Sequence, residues 1–344
     1  MANKSDSHPQ SSILHPRPIF IAGPTATGKS EIALRLAGQL DGEIISADSM
    51  QVYRGLDLGT AKPSPADRAR VPHHLIDILD LTESFDAAQF ARLAHQTVAE
   101  IQSRGHMPIL CGGTGLYFRA FLEGLGETPP GDAKLRAELE AAPLEKLLAE
   151  LRECDPVTYE KIDRQNPRRV IRAVEVIRLT GKPFSAQQSR WGKTPGKAGR
   201  TLLRQCPNSP EDQGNDEVIP SKNSFFCFVR QPEDFRKRID ARVDTMFARG
   251  LVDETRELLK RGLEQNKTAM QAIGYRQVVE HLRDERSLKE TIELVKIRTR
   301  QFAKRQLTWF RAQPDTQWIE LKPGDPPEKW LPEISRAIRK QNRL

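Results

Sequence analysis

Gly23-Pro24-Thr25-Ala26-Thr27-Gly28-Lys29-Ser30 fits the pattern G-x-x-x-x-G-K-[ST], and its flanks are those such a loop requires. Ile19-Phe20-Ile21-Ala22 before it is a short apolar run of strand type, and after it Ile32, Leu36 and Leu40 recur at helical spacing. Strand, glycine loop and helix together make a phosphate cradle. Loop and helix N–H groups surround an anion, Lys29 adds a positive charge, and the Ser30 hydroxyl can ligate Mg2+. The cradle selects for linked phosphates, so a nucleotide and any other diphosphate ester qualify alike.

The rest of the chain continues the alternation. Ile44-Ile45-Ser46-Ala47 follows Asp41-Gly42, Met107 to Cys111 follows the amphipathic stretch Phe90 to Ile101, and Phe225 to Val229 is a further apolar run. The pattern predicts an α/β fold: a P-loop-type, mostly parallel sheet flanked by helices, with ligands at the carboxyl ends of its strands. Between 125 and 199 the strand signal is absent, and Leu135 to Leu151 and Arg169 to Leu179 read as helices, the second capped by Asn166-Pro167 and stopped by Gly181. The expected organisation is a disordered Ser/His/Pro-rich leader over 1–17 and a catalytic core over 18–124 and 200–320, with a helical insertion over 125–199 and a tail over 321–344. Within the core, 207–223 is too polar to order itself and reads as a flexible loop.

The carboxylate expected to face the cradle is Asp48, at the carboxyl end of the second strand and followed by Ser49, Met50 and Gln51. Asp77 and Asp80 in Leu75 to Asp80 resemble the apolar run plus Asp that places Mg2+ in nucleotide hydrolases, but alternation in a half-buried strand explains the stretch better. His73-His74 has no further ligands at metal spacing and reads as structural. Gly112-Gly113-Thr114-Gly115 makes a second glycine turn at a strand's carboxyl end, which points the Thr114 hydroxyl into the same pocket.

Composition sets the outer bounds. Lys and Arg number 54 against 46 Asp and Glu, and the resulting +8 suits an anionic partner and ordinary solubility equally. Cys111, Cys154, Cys206 and Cys227 form no C-x-x-C pair, which argues against a zinc site and a disulfide framework and fits a reducing cytoplasm. No apolar run approaches the roughly 18 residues of a membrane helix, so no membrane partner is expected.

Several stretches together resemble the bacterial tRNA dimethylallyltransferase family: GPTATGKS at Gly23 to Ser30, DSMQVY at Asp48 to Tyr53, GTAKP at Gly59 to Pro63, GGTGLYFRAFLEGL at Gly112 to Leu125 and IGYRQ at Ile273 to Gln277. NPRR at Asn166 to Arg169 and RQFAKRQLTWFR at Arg300 to Arg311 stand in the same order. Ala26-Thr27 replaces the commoner Ala-Ser, and Met270-Gln271 a frequent basic residue. The resemblance implies transfer of a dimethylallyl group from dimethylallyl diphosphate to N6 of adenosine 37, next to the anticodon, in tRNAs that read codons beginning with U. It implies Mg2+ as cofactor, the tRNA anticodon stem-loop as partner and a cytoplasmic monomer.

Carried over by position, Asp48 is the base on N6, and Gly23, Pro24, Thr25, Ala26, Thr27, Gly28, Lys29 and Ser30 hold the diphosphate, with Ser30 on the metal. Lys29, Thr114 and Arg238 assist the chemistry, Arg238 at the diphosphate. The RNA contacts implied are Asp48, Ser49, Met50, Gln51, Thr114 and Arg136, then Gln165, Asn166, Pro167, Arg168 and Arg169, then Met270, Gln271, Ala272, Ile273, Gly274, Tyr275, Arg276 and Gln277. Arg168, Arg169 and Arg172 on one helix, and Arg298, Arg300, Lys304, Arg305 and Arg311 on a late one, suit phosphate contacts and solvated faces equally; the late helix is expected to bury Ile292, Val295, Phe302 and Trp309. An isopentenyltransferase of free adenine nucleotides, a small-molecule P-loop kinase and a non-catalytic RNA-binding ATPase module are the rival readings.

Overall fold

The computed structural model describes residues 16–126, 128–187, 225–313 and 316–341. The 207–223 loop, Cys206 and all but the last two residues of the expected leader lie outside them. The chain divides into two compact units, one of residues 1–118 with 216–344 and one of residues 119–215.

The first unit is built on one parallel sheet of β1 (Ile19–Ala22), β2 (Gly42–Ala47), β3 (His73–His74), β4 (Met107–Gly112), β5 (Phe225–Arg230) and β6 (Gln317–Leu321), in the order β3-β2-β4-β1-β5-β6. Every residue of β1, β2 and β4 is buried, as a strand covered on both faces requires. The helices that begin in its amino-terminal part are α1 (Lys29–Leu40), α2 (Pro65–Arg70), α3 (Ala87–Ser103) and α4 (Gly115–Glu123). Strand alternation sends Ile19 and Ile21 to one face, where they meet Ile32 and Leu36 of α1 together with Ile109 and Phe228. Phe20 points to the other face, with ring centroids 5.8 Å from Phe225 and 6.3 Å from Phe118. Each such side chain contributes about 1.5–3 kcal/mol by leaving water.

The second unit is helical: α5 (Ala133–Ala141), α6 (Leu144–Cys154), α7 (Pro156–Lys161), α8 (Pro167–Thr180) and α9 (Phe184–Gln187). The single helix expected from Leu135 to Leu151 is two, because Pro143 forces Ala142 into extended backbone. α8 keeps its expected limits: the Asn166 side chain accepts from Arg169 N, Pro167 opens the helix and Gly181 ends it at φ 66°. Leu139, Leu147, Leu151, Val170 and Val174 pack together. Within that core Glu175 is fully buried and neutralised by Arg136 and Arg172, each at 2.7 Å.

The carboxyl-terminal part of the first unit adds α10 (Pro232–Ala248), α11 (Leu251–Lys260), α12 (Tyr275–Leu282), α13 (Leu288–Arg311) and α14 (Leu331–Gln341). Two sequence expectations need correction here. Leu75 to Asp80 is no strand, since Leu75 and Asp77 take φ values of 59° and 56° and leave only His73–His74 paired with β2. The tail expected over 321–344 carries α14, which seats Leu331, Ile334 and Ile338 in the core. On α13 the inward stripe is Thr291, Val295, Ala303, Gln306 and Phe310, so Phe302 is exposed. No described helix is long and apolar enough to cross a membrane.

Candidate active site

The carboxyl ends of β1, β2 and β4 converge on the glycine loop. Gly23 (φ 147°) passes against β5, where a Cβ would lie 2.6 Å from the Phe228 carbonyl oxygen. The loop closes on itself through Thr27 Oγ1 and Lys29 Nζ, which donate to the Pro24 carbonyl at 3.0 and 3.2 Å. The carbonyls of Ala26 and Thr27 are held by arginines, accepting from Arg238 Nε at 3.1 Å and Arg230 Nε at 2.9 Å. Ser30 is exposed in the first turn of α1.

Burial lowers the Lys29 pKa from its ordinary value, and the Arg242 charge lowers it further, while the Asp48 charge works the other way. Beside it the Cys111 and Cys227 thiols are pushed up to about 11 and about 12 by burial, so they are neutral neighbours. Cys111, Cys154 and Cys227 are all free.

Asp48 begins the turn after β2 and accepts from Met50 N through Oδ1 at 2.9 Å. The second glycine turn is locked beside it: Thr114 N donates to the Ala47 carbonyl at 3.2 Å, and Thr114 Oγ1 accepts from Ser49 N at 3.1 Å. This approach requires glycine at 112, where a Cβ would stand 2.1 Å from the Ala47 oxygen. Gln306 of α13 joins the two turns. Its Oε1 accepts from Thr25 N at 3.0 Å, and its Nε2 donates to the Gly113 carbonyl at 2.9 Å.

In the same turn as Asp48, Gln51 donates to the Thr60 carbonyl at 3.2 Å and accepts from Ser46 Oγ at 2.8 Å. Arg242 of α10 reaches the same Thr60 carbonyl through Nη2 at 3.5 Å. Burial lowers the Arg242 pKa, and Asp48 is the carboxylate that opposes the shift.

The structure thus brings together the P-loop, Lys29, Asp48 and Thr114, with Arg238 exposed on the rim. Ser49, Met50 and Gln51 line the Asp48 turn half-buried. Of the stretch 270–277, Gln271 and Arg276 are exposed and Met270 and Ile273 half-buried, whereas Ala272, Gly274, Tyr275 and Gln277 are buried inside the protein. Gln165, Pro167, Arg168 and Arg169 are exposed on the helical unit, Asn166 is occupied as the cap of α8, and Arg136 is spent on Glu175. Asp77 is held by Lys62 and Arg68, Asp80 by Arg54, and His74 by Glu43, so these groups serve internal ion pairs. Arg242 and Gln306 are the participants that sequence reasoning misses. Arg242 follows Arg238 by one helical turn, and Gln306 is a polar residue on the inward stripe of α13.

A phosphate cradle at the carboxyl edge of a parallel sheet, accompanied by a carboxylate and a half-buried guanidinium, defines a P-loop protein built for transfer of a group from an anionic leaving group. Residues 51–313 match the family described as IPP transferase. The chain is 45% identical over 310 residues to tRNA dimethylallyltransferase 1 of Trichlorobacter lovleyi, covering 89% of this chain and 94% of that protein. It is also 45% identical over 304 residues to the tRNA dimethylallyltransferase of Halorhodospira halophila, covering 86% and 90%. Among solved structures, the tRNA isopentenylpyrophosphate transferase of Bacillus halodurans superposes with a TM-score of 0.65 at 36% identity, covering 95% of this chain and 98% of that one. A eukaryotic dimethylallyltransferase acting on tRNA gives 0.67 at 26% identity, covering 93% and 77%. The chain belongs to the IPP transferase family.

Proposed function

We propose that the protein transfers the dimethylallyl group of dimethylallyl diphosphate to N6 of adenosine 37 in tRNAs that read codons beginning with U, releasing diphosphate. The observation that carries this reading is the Asp48 turn, locked to the second glycine turn through Ser49 N and Thr114 beside the P-loop, with the Asp48 charge acting on both Lys29 and Arg242. The adenine amine is a weak nucleophile, because its lone pair is delocalised into the ring, whereas an allylic diphosphate ionises readily once its leaving group is stabilised. As the C1–O bond breaks, negative charge grows on the bridging oxygen. Lys29, Arg242 and the loop N–H groups meet it, a contribution of about 3–4 kcal/mol for a well-aimed donor. N6 forms the new bond to C1, and its proton passes to Asp48, worth roughly 10²–10⁴-fold for a positioned base. Thr114 and Gln51 border the adenine edge, and Arg238 steadies the loop through the Ala26 carbonyl.

The exposed Ser30 hydroxyl beside the phosphate position suits Mg2+, an ion that takes few protein ligands and keeps its waters. Bound there, it would supply further charge stabilisation of the diphosphate. The target base must leave its stack to reach the strand ends, at a cost of a few kcal/mol, and the exposed residues Gln165, Pro167, Arg168, Arg169, Gln271 and Arg276 are available to the RNA. We assign this work to a cytoplasmic monomer in which the insertion over 125–199 carries part of the RNA surface. The test is mass analysis of nucleosides from tRNA incubated with the protein, Mg2+ and dimethylallyl diphosphate. A dimethylallyl adduct of adenosine is expected, and unmodified tRNA together with diphosphate hydrolysis or phosphorylation of a small molecule would overturn the reading.

A further inference from the structure

Tyr275 is fully buried, yet its hydroxyl has two partners: it donates to Glu254 Oε1 at 2.6 Å and accepts from Gly59 N at 3.1 Å. Glu254 also accepts from Leu58 N at 3.0 Å. The ring lies so close to Gly59 that a Cβ there would stand 2.4 Å from Cε2, so only glycine passes beneath it. Two helices, α11 through Glu254 and α12 through Tyr275, therefore clamp one short loop. A phenylalanine would fill the same space as Tyr275; the hydroxyl is needed only for the clamp.

The loop's next carbonyl belongs to Thr60, and it is shared. Gln51 Nε2 reaches it at 3.2 Å, and Arg242 Nη2 at 3.5 Å. Gln51 continues to Ser46, and Asp48 lies in the same turn. A shift of the 58–60 backbone therefore moves, together, the side chain expected against the adenine and the guanidinium expected against the diphosphate.

We propose that Tyr275 and Glu254 are positioning residues for the transfer reaction, fixing the Thr60 carbonyl so that Gln51 and Arg242, which both bond it, hold their places in the site. This rests on the prenyl-transfer reading of the site. Neither residue touches substrate, so the clamp acts on the rate of the chemical step and leaves tRNA affinity, set by exposed contacts, in place.

The test compares Tyr275→Phe, Gln51→Ala and the double variant in single-turnover transfer to an anticodon stem-loop, with the folded fraction of each protein measured by thermal unfolding. Tyr275→Phe is expected to slow the chemical step about tenfold per folded molecule, in line with the sensitivity of rate to small misplacements, with the stem-loop Kd within twofold. In the Gln51→Ala background the same change should slow it less than threefold, because one of the two side chains the clamp positions is already gone. Glu254→Gln, which keeps volume and an acceptor for Leu58 N, should give an intermediate loss and keeps the clamp testable if Tyr275→Phe is poorly folded. An unchanged rate per folded molecule, or losses that multiply fully in the double variant, would overturn the clamp. Wild-type protein that transfers nothing to the stem-loop would instead remove the underlying reading.

Discussion

A guanidinium taken out of water costs several kcal/mol unless an anion stands beside it, and for Arg242 the carboxylate that acts is Asp48. Asp48 is shared with Lys29, so two cations face one carboxylate. Such a site holds charge in reserve for an anion that arrives with substrate. Arg238, one turn earlier, is exposed and bonded only to the Ala26 carbonyl among the contacts described above. Arg242→Gln should therefore lower kcat/KM for dimethylallyl diphosphate by at least about a hundredfold, the scale of a lost transition-state donor, and Arg238→Ala by less than about tenfold. Steady-state rates at saturating tRNA check this, and the reverse order would return the leaving-group role to Arg238. The sequence points to Arg238 through the family resemblance of its stretch, and spacing alone does not tell that Arg242, one turn on, is the less exposed of the two. Lys29, Asp48 and Thr114 are legible for the opposite reason: a glycine motif or a strand end fixes the backbone on which each stands. Gln306 is hidden because a buried amide breaks the apolar periodicity by which an inward face is recognised.

At the scale of elements, the amino-terminal edge of the sheet is held by one carboxylate. Glu43 of β2 is buried and meets His74 of β3 at 2.6 Å, Arg104 at the end of α3 at 2.8 Å and His106, just before β4, at 2.8 Å. Burial works to raise its pKa, but the hydrogen bonds from Arg104, His74 and His106 outweigh it and bring the group down to about 2. A carboxyl depressed in the folded state stabilises fully above its unfolded value near 4.5, and that stabilisation is lost as pH falls toward about 2. Glu43→Gln should cost on the order of 2 kcal/mol at pH 7, and the gap to the unmodified protein should narrow between pH 4.5 and pH 2.5 in urea unfolding. A gap that stays constant with pH would show that shape rather than charge holds these elements. β2 and β4 are legible in the sequence as apolar runs. The ends of elements are less so: Leu75 to Asp80 alternates like a strand, but the ion pairs of Asp77 with Lys62 and Arg68 hold it in a turn. Similarly, α13 is recognisable as a helix, but its aromatic residues suggest the wrong phase, since Phe302 carries the Arg305 guanidinium 5.8 Å from its ring while Gln306 and Phe310 turn inward.

For the whole molecule the deciding quantity is where binding energy comes from. A free nucleotide needs only the pocket around the P-loop, Asp48 and Thr114, whereas a stacked base in a tRNA loop must first be extracted, at a few kcal/mol that the pocket alone would have to supply. Exposed cations are available to offset that cost. Arg168 and Arg169 open α8 of the helical unit, and Arg298, Lys304, Arg305 and Arg311 are exposed on α13 of the other. Phosphate contacts from these side chains release counterions, so their contribution should fade with salt while recognition of the base itself changes far less. If remote contacts are spent on the transition state, they raise kcat/KM for RNA above that for any fragment lacking the backbone. The intact protein should prenylate an anticodon stem-loop with at least about a hundredfold higher kcat/KM than AMP, equivalent to about 2.7 kcal/mol. Raising salt from about 50 to 200 mM should shrink that ratio, and Arg169→Ala should shrink it at low salt but little at high salt. Parallel assays of both acceptors across this range decide the matter: equal efficiency on AMP, or a ratio indifferent to salt, would assign the protein to free adenine nucleotides and leave the exposed arginines as solvated helix faces.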